Sequence, residues 1–144
     1  SLHTDVRGYT TPYVTPGCAE GRRNDGSPGF SVLWSAEGDE TLSARRQRLS
    51  WALTDALSEA GFGAYDGAEY PGLYDAEPEH LGSFINRKEH GKRIWFLRSL
   101  NVPTVIVETH HALDLGEVER WREMRTRNVF ARAVGKGLLD YFGQ

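Results

Sequence analysis

The chain has 144 residues, enough for one domain with a real core, since a chain of that size removes roughly 70% of its unfolded surface from water on folding. Its formal net charge of -3 provides no broad positive field for phosphate backbones or anionic lipid surfaces, which excludes nucleic acid as the expected partner. The single cysteine, Cys18, excludes an internal disulfide and a multi-thiolate metal site, so any metal must use His, Asp or Glu; no apolar run approaches the roughly 18 residues that span a bilayer.

Residues 1–6 read as the end of a strand running into a loop. Residues 10–28 carry the turn chemistry of Pro12, Pro16, Gly17, Asn24-Asp25-Gly26 and Pro28 and read as a long loop, either bordering a site or simply irregular surface. Gly-Phe-Ser-Val-Leu-Trp-Ser at 29–35 is short, apolar and aromatic, which predicts a buried strand. Over 39–60, Leu42, Leu49, Leu53, Ala56, Leu57 and Ala60 recur at helical spacing, and Gly61 follows where a left-handed terminating residue is expected. Arg45, Arg46 and Arg48, and the arginines from 120 to 132, read as solvated helix faces.

Residues 62–89 are rich in glycine, proline and acids and read as a second extended loop, anchored by Tyr65, Tyr70 and Tyr74. Within 92–100 lies an apolar patch, Ile94-Trp95-Phe96-Leu97, and Asn101-Val102-Pro103 then makes a turn before Thr104-Val105-Ile106-Val107. That β-branched run is too continuously apolar for a strand with one wet face, so it belongs in the middle of a sheet covered on both sides by helices. Asp114 and Glu117 fit a capping pattern for a helix running to about Phe142, with Val118, Trp121, Ala131, Val134, Leu138 and Tyr141 on its core face. There is no internal repeat or linker, so residues 1–144 read as a single domain.

Two residues stand out chemically. His3 follows Leu2 at a strand's carboxyl end, where open α/β sheets place ligands and metals, although a lone histidine is more often an ordinary surface or core residue. Glu108 closes a run of residues expected to be buried, where an unpaired carboxylate costs several kcal/mol. Either it passes the sheet edge and meets water or a cation such as Arg98, or it is a general base tuned by a partly apolar setting. His80 and His90 have no partner spacing and read as surface residues.

Ser1-Leu2-His3-Thr4-Asp5 resembles the Ser-Ile-His-Ala-Asn motif of the zinc-dependent N-acetylmuramoyl-L-alanine amidases, whose histidine is a zinc ligand. Leu97-Arg98, then Asn101-Val102-Pro103-Thr104-Val105-Ile106-Val107-Glu108-Thr109, resembles their segment that ends in the catalytic glutamate. Gly29-Phe30-Ser31-Val32-Leu33 and the stretch from Phe130 to Phe142 resemble the family's next strand and closing helix, so the likeness covers nearly the whole chain in order.

The resemblance implies an α/β fold of the phosphorylase/hydrolase-like class, with helices on both faces of a mixed or mainly parallel sheet. It implies His3 as a ligand of a zinc cofactor (Zn2+), Glu108 as the catalytic base, peptidoglycan as the substrate, and a periplasmic or extracellular location. The family draws its other two zinc ligands from segments upstream of the position of Ser1, so the chain reads as the later two-thirds of the catalytic domain. By itself it is not expected to be an active zinc enzyme. The family's glycine-phenylalanine after Glu-Thr is replaced by His110-His111, and its Ala-Asn by Thr4-Asp5. Adjacent residues of a strand face opposite ways, so at most one of His110 and His111 is expected to face the site. Two other readings remain: a related zinc peptidase or amidohydrolase, such as a zinc carboxypeptidase or an N-formylglutamate amidohydrolase, and a non-catalytic peptidoglycan-binding module that has lost its metal.

Overall fold

Residues 1–17, 19–70, 72–87 and 94–143 are described in the computed structural model, so Cys18, His90 and the start of the 92–100 segment lie outside the described residues. Five strands make one mixed sheet in the order β1-β7-β4-β6-β5, where β1 is Leu2–Asp5, β4 is Ser31–Trp34, β5 is Tyr74–Ala76, β6 is Ser83–Asn86 and β7 is Ile106–His111. The β1/β7 and β4/β6 pairs are parallel, and the β4/β7 and β5/β6 pairs antiparallel. A separate hairpin pairs β2 (Thr11–Val14) with β3 (Glu20–Arg23).

Alternation along the central strands divides the interior into two cores. On one face Val32, Trp34, Val105 and Val107 meet Leu49, Leu53 and Leu57 of α1 (Glu40–Glu59) and Phe130 and Ala133 of α4 (Met124–Phe142). On the other, Leu33, Phe84 and Ile106 meet Tyr65, Tyr70 and Leu97, the last from the five-residue helix α2 (Trp95–Ser99). Among the described residues, the second face is thus covered as much by loop aromatics as by helix. Among these residues no helix is long and apolar enough to cross a membrane.

Helix α1 forms as its spacing predicts: Asp39 caps it by accepting from the Leu42 amide at 2.9 Å, and Gly61 follows at φ 84°. Arg46, however, does not lie on a solvated face. It is fully buried and donates to the backbone carbonyls of Ser35, Glu37 and Leu100, tying the loop before α1 to the end of α2. Arg45, Arg48 and the arginines from 120 to 132 are exposed as expected.

The two long loops are more structured than their composition suggests. Residues 10–28 contain the β2/β3 hairpin, and residues 62–89 contain β5 and β6, the latter paired directly to β4. His80 is not a plain surface residue, since it stacks on Trp51 with ring centroids 4.3 Å apart and bonds Asp55 at 3.0 Å.

The closing helix is two helices. Asp114 caps α3 (Leu115–Arg122) through the Glu117 amide at 2.9 Å, but Glu123 is extended at φ -69° and ψ 130° before α4 begins. The break resets the helical phase, so Thr126, Phe130, Ala133 and Gly137 are buried, while Ala131 and Leu138 of the expected core face are exposed. Trp121, Val134 and Tyr141 still pack against the first core.

Gly137 lets α4 approach α1, because a Cβ there would lie 2.8 Å from the Ala52 carbonyl oxygen and 3.0 Å from the Leu53 Cα. Both neighbours are backbone, so Gly137→Ala must push the helices apart, and overpacking of this kind costs about 1–3 kcal/mol. At Gly135 a Cβ meets nothing within 4 Å, so Gly135→Ala should stabilise through helix propensity by up to about 1 kcal/mol. Urea unfolding of the two variants should therefore move in opposite directions.

Candidate active site

His3, Glu108 and Ser31 form one row across three adjacent strands: His3 of β1 and Ser31 of β4 are both register partners of Glu108 on β7. Glu108 therefore does not end its strand or pass the sheet edge, since β7 continues to His111. The residue is 7% exposed, and Arg98, exposed on α2, forms no pair with it. Oε1 lies 4.0 Å from His3 Nδ1, while Oε2 has no hydrogen-bond partner among the described residues. The His3 side chain is 61% exposed, so the pair joins an accessible imidazole to a buried carboxylate.

A buried polar network lies beside this pair. Arg7, 5% exposed, donates to the carbonyls of Ser27 at 3.1 Å and Gly29 at 2.6 Å, approaches Asp5 Oδ2 at 3.4 Å, and lies over the Tyr65 ring at 3.8 Å. The Tyr70 hydroxyl donates to Asp5 at 2.5 Å and meets Ser31 Oγ at 3.1 Å. Burial, and then the Asp5 charge, push the Tyr70 phenol well above its ordinary pKa, so it stays a donor. Arg7, Tyr70 and Ser31 were invisible as site neighbours in the sequence, because Arg7 reaches partners 20, 22 and 63 residues away and no local pattern marks it.

The Glu108 carboxyl is pushed up to about 7, chiefly by burial and then by the Asp5 charge, with Arg7 opposing. The folded protein therefore keeps a proton on Glu108 that the unfolded chain has released above its ordinary value of 4.5. Stability from this group is present below pH 4.5 and is lost as pH rises to about 7, by at most about 3 kcal/mol. Denaturation at pH 5 and pH 8 should show a drop in the native chain that is smaller in Glu108→Gln, whose amide cannot ionise.

His110 and His111 do face opposite ways, but not as simple alternation assigns them. The β1/β7 register shifts between His3 and Asp5, so that Asp5 pairs with His111. His110 stacks on Trp121 of α3 with centroids 4.9 Å apart, on the side of the first core, and burial lowers its pKa. His111 is fully buried; the Leu113 amide donates to Nδ1 at 2.9 Å, and Nε2 lies 2.8 Å from the Arg7 carbonyl oxygen and 3.2 Å from the Arg7 amide. Nε2 thus ties β7 to the segment after β1, while Nδ1 holds the turn that follows β7.

A catalytic zinc site takes three protein ligands. Among the described residues no group of three His, Cys, Asp or Glu side chains stands close enough to hold a metal ion, although His3 and Glu108 approach each other here. These residues do not make up a zinc site by themselves.

No protein-family model matches the chain, and no curated protein matches it. Solved structures do. The N-acetylmuramyl-L-alanine amidase Ami1 from Mycobacterium smegmatis matches with a TM-score of 0.64 at 17% identity, over 85% of this chain and 51% of that one. Ami1 from Mycobacterium abscessus, in its apo form, matches with a TM-score of 0.62 at 19% identity, over 84% and 52%. The CwlD amidase from Clostridioides difficile, solved in complex with the GerS lipoprotein, matches with a TM-score of 0.58 at 14% identity, over 85% and 52%. The chain spans about half the length of these amidases. At such low identities the likeness concerns architecture, and the mixed sheet with its helices is an α/β fold shared with N-acetylmuramyl-L-alanine amidases.

Proposed function

We propose that this chain carries part of the active site of a peptidoglycan amidase, which cleaves the amide between N-acetylmuramic acid and the L-alanine of the stem peptide outside the cytoplasmic membrane. The observation that carries this reading is the register pairing of His3 with Glu108, with one Glu108 oxygen buried and unpaired, on an amidase-like fold. The same likeness supports a phosphorylase/hydrolase-like assignment of the architecture.

In this reading Glu108 is the general base. A pKa of about 7 places it near the optimum for taking and returning a proton at neutral pH. It accepts a proton from water as the oxygen adds to the amide carbonyl carbon, and delivers that proton to the departing nitrogen as the C–N bond breaks. The products are the lactyl carboxylic acid and a free L-alanine amine. His3, exposed beside it, would be one ligand of a zinc ion whose other ligands lie outside the described residues. Such an ion, when bound, supplies a water of lowered pKa and polarises the carbonyl.

The test is product analysis with the protein carrying this chain and purified muropeptides. New L-alanine amino termini are expected; cleavage within the stem would instead point to a related zinc peptidase. The second reading, a peptidoglycan-binding module without a metal, is favoured by the lack of a three-donor group among the described residues. Cell-wall binding with neither bound zinc nor hydrolysis would establish it.

A further inference from the structure

Little within its own strand fixes the corner that holds Glu108. Oε2 is unpartnered, and β1, which brings His3, stands at one edge of the described sheet with Leu2 and His3 exposed. The ladder to β7 and the Thr109 hydroxyl, which donates to the His3 carbonyl at 3.0 Å, hold β1 from one side. The other restraint comes from a distant part of the chain.

The Tyr70 hydroxyl bonds Asp5 of β1 at 2.5 Å and Ser31 of β4 at 3.1 Å. Those two strands flank β7, and Ser31 is the residue paired to Glu108, while Asp5 stands two residues beyond His3 on the same face. One hydroxyl thus bridges the strands on either side of the carboxylate. The ring that carries it has no room to swing: it packs edge-on against Tyr65 at 4.9 Å and Phe84 at 5.0 Å, and against Tyr74 at 4.5 Å. Tyr70 itself is 5% exposed, so it cannot meet a substrate and acts only through its partners.

We propose that Tyr70 is a positioning residue for Glu108 and His3: by tying Asp5 to Ser31 it sets the spacing of β1 and β4 across β7, and with it the seat of the carboxylate. The proposal rests on the reading of His3 and Glu108 as site residues and deepens it. An ordinary core tyrosine would behave differently. Its hydroxyl would be satisfied wherever it pointed, and Tyr70→Phe, which keeps the ring packing, would change stability alone.

The test is NMR of the protein carrying this chain, with and without Tyr70→Phe. The Glu108 carboxyl carbon and the His3 ring resonances, assigned by their loss in Glu108→Gln and His3→Gln, are expected to shift in Tyr70→Phe. Ser50→Ala serves as the control, because it removes a buried hydroxyl pair with Ser83 at 2.7 Å on the opposite face of the sheet; there the two signals should stay in place at a similar loss of melting temperature. Ser31→Ala, which removes the other end of the brace, should shift the same signals, and adding it to Tyr70→Phe should add little. In muropeptide hydrolysis Tyr70→Phe should lower kcat roughly 10- to 100-fold with KM within about twofold, the signature of a misplaced catalytic group. Signals that stay in place in Tyr70→Phe overturn the proposal, whatever the activity. An unsubstituted protein that does not hydrolyse muropeptides overturns the functional reading instead, and the resonances still decide the role of Tyr70.

Discussion

Glu108→Gln is expected to lower kcat for muropeptide hydrolysis by roughly 10²- to 10⁴-fold, the usual contribution of a general acid-base group, with KM little changed. Glutamine fills the same seat between His3 and Ser31, so the fold should be kept. It cannot take a proton from water, and the step that returns a proton to the leaving nitrogen is lost with it. Metal content should be unaffected, because the proposed ligand is His3. The measurement is kcat and KM on a purified muropeptide, alongside zinc analysis and a melting curve. Above pH 7 the variant should also be the more stable form, since it removes a carboxylate that burial disfavours. Hydrolysis within a few-fold of the native protein would exclude Glu108 as the base and leave its unpaired oxygen without a role.

The parts of the fold that were legible in the sequence are those fixed by local periodicity. Helix α1 announced itself by apolar spacing and Gly61, and β7 by its β-branched run. Strand β6 was not legible: Ser83-Phe84-Ile85-Asn86 is four residues long, sits in glycine- and acid-rich sequence, and becomes a strand through pairing with the buried β4. The break at Glu123 carries no proline or glycine to signal it, so two helices read as one. Arg46 shows the same limit. Its neighbours Arg45 and Arg48 are exposed, and the carbonyls of Ser35, Glu37 and Leu100 turn the middle arginine inward. The residues of the proposed site, His3 and Glu108, were legible by motif. The network around them was not, because it depends on Tyr70 and Ser27 arriving from loops far along the chain.

Arg7→Met should be among the most destabilising single substitutions outside the hydrophobic cores. The guanidinium is 5% exposed, and its removal leaves the Ser27 and Gly29 carbonyls without their donor and Asp5 without its cation. Breaking one partner out of a buried charged cluster costs about 3–5 kcal/mol, a large share of the roughly 5–15 kcal/mol that holds a domain together. Arg7→Lys should recover only part of this, because a single ammonium cannot reach two carbonyls and a carboxylate in the geometry of the planar fork, nor stack on Tyr65 as the guanidinium does. Asp5→Asn in the Arg7→Met background should recover another part, since it removes the carboxylate stranded beside Glu108. Urea unfolding of the single and double variants would measure the coupling between the two residues directly. A cost below about 1 kcal/mol for Arg7→Met would mean that the loops bearing Ser27 and Tyr70 rearrange freely, and that the polar network does not hold the end of β1 in place.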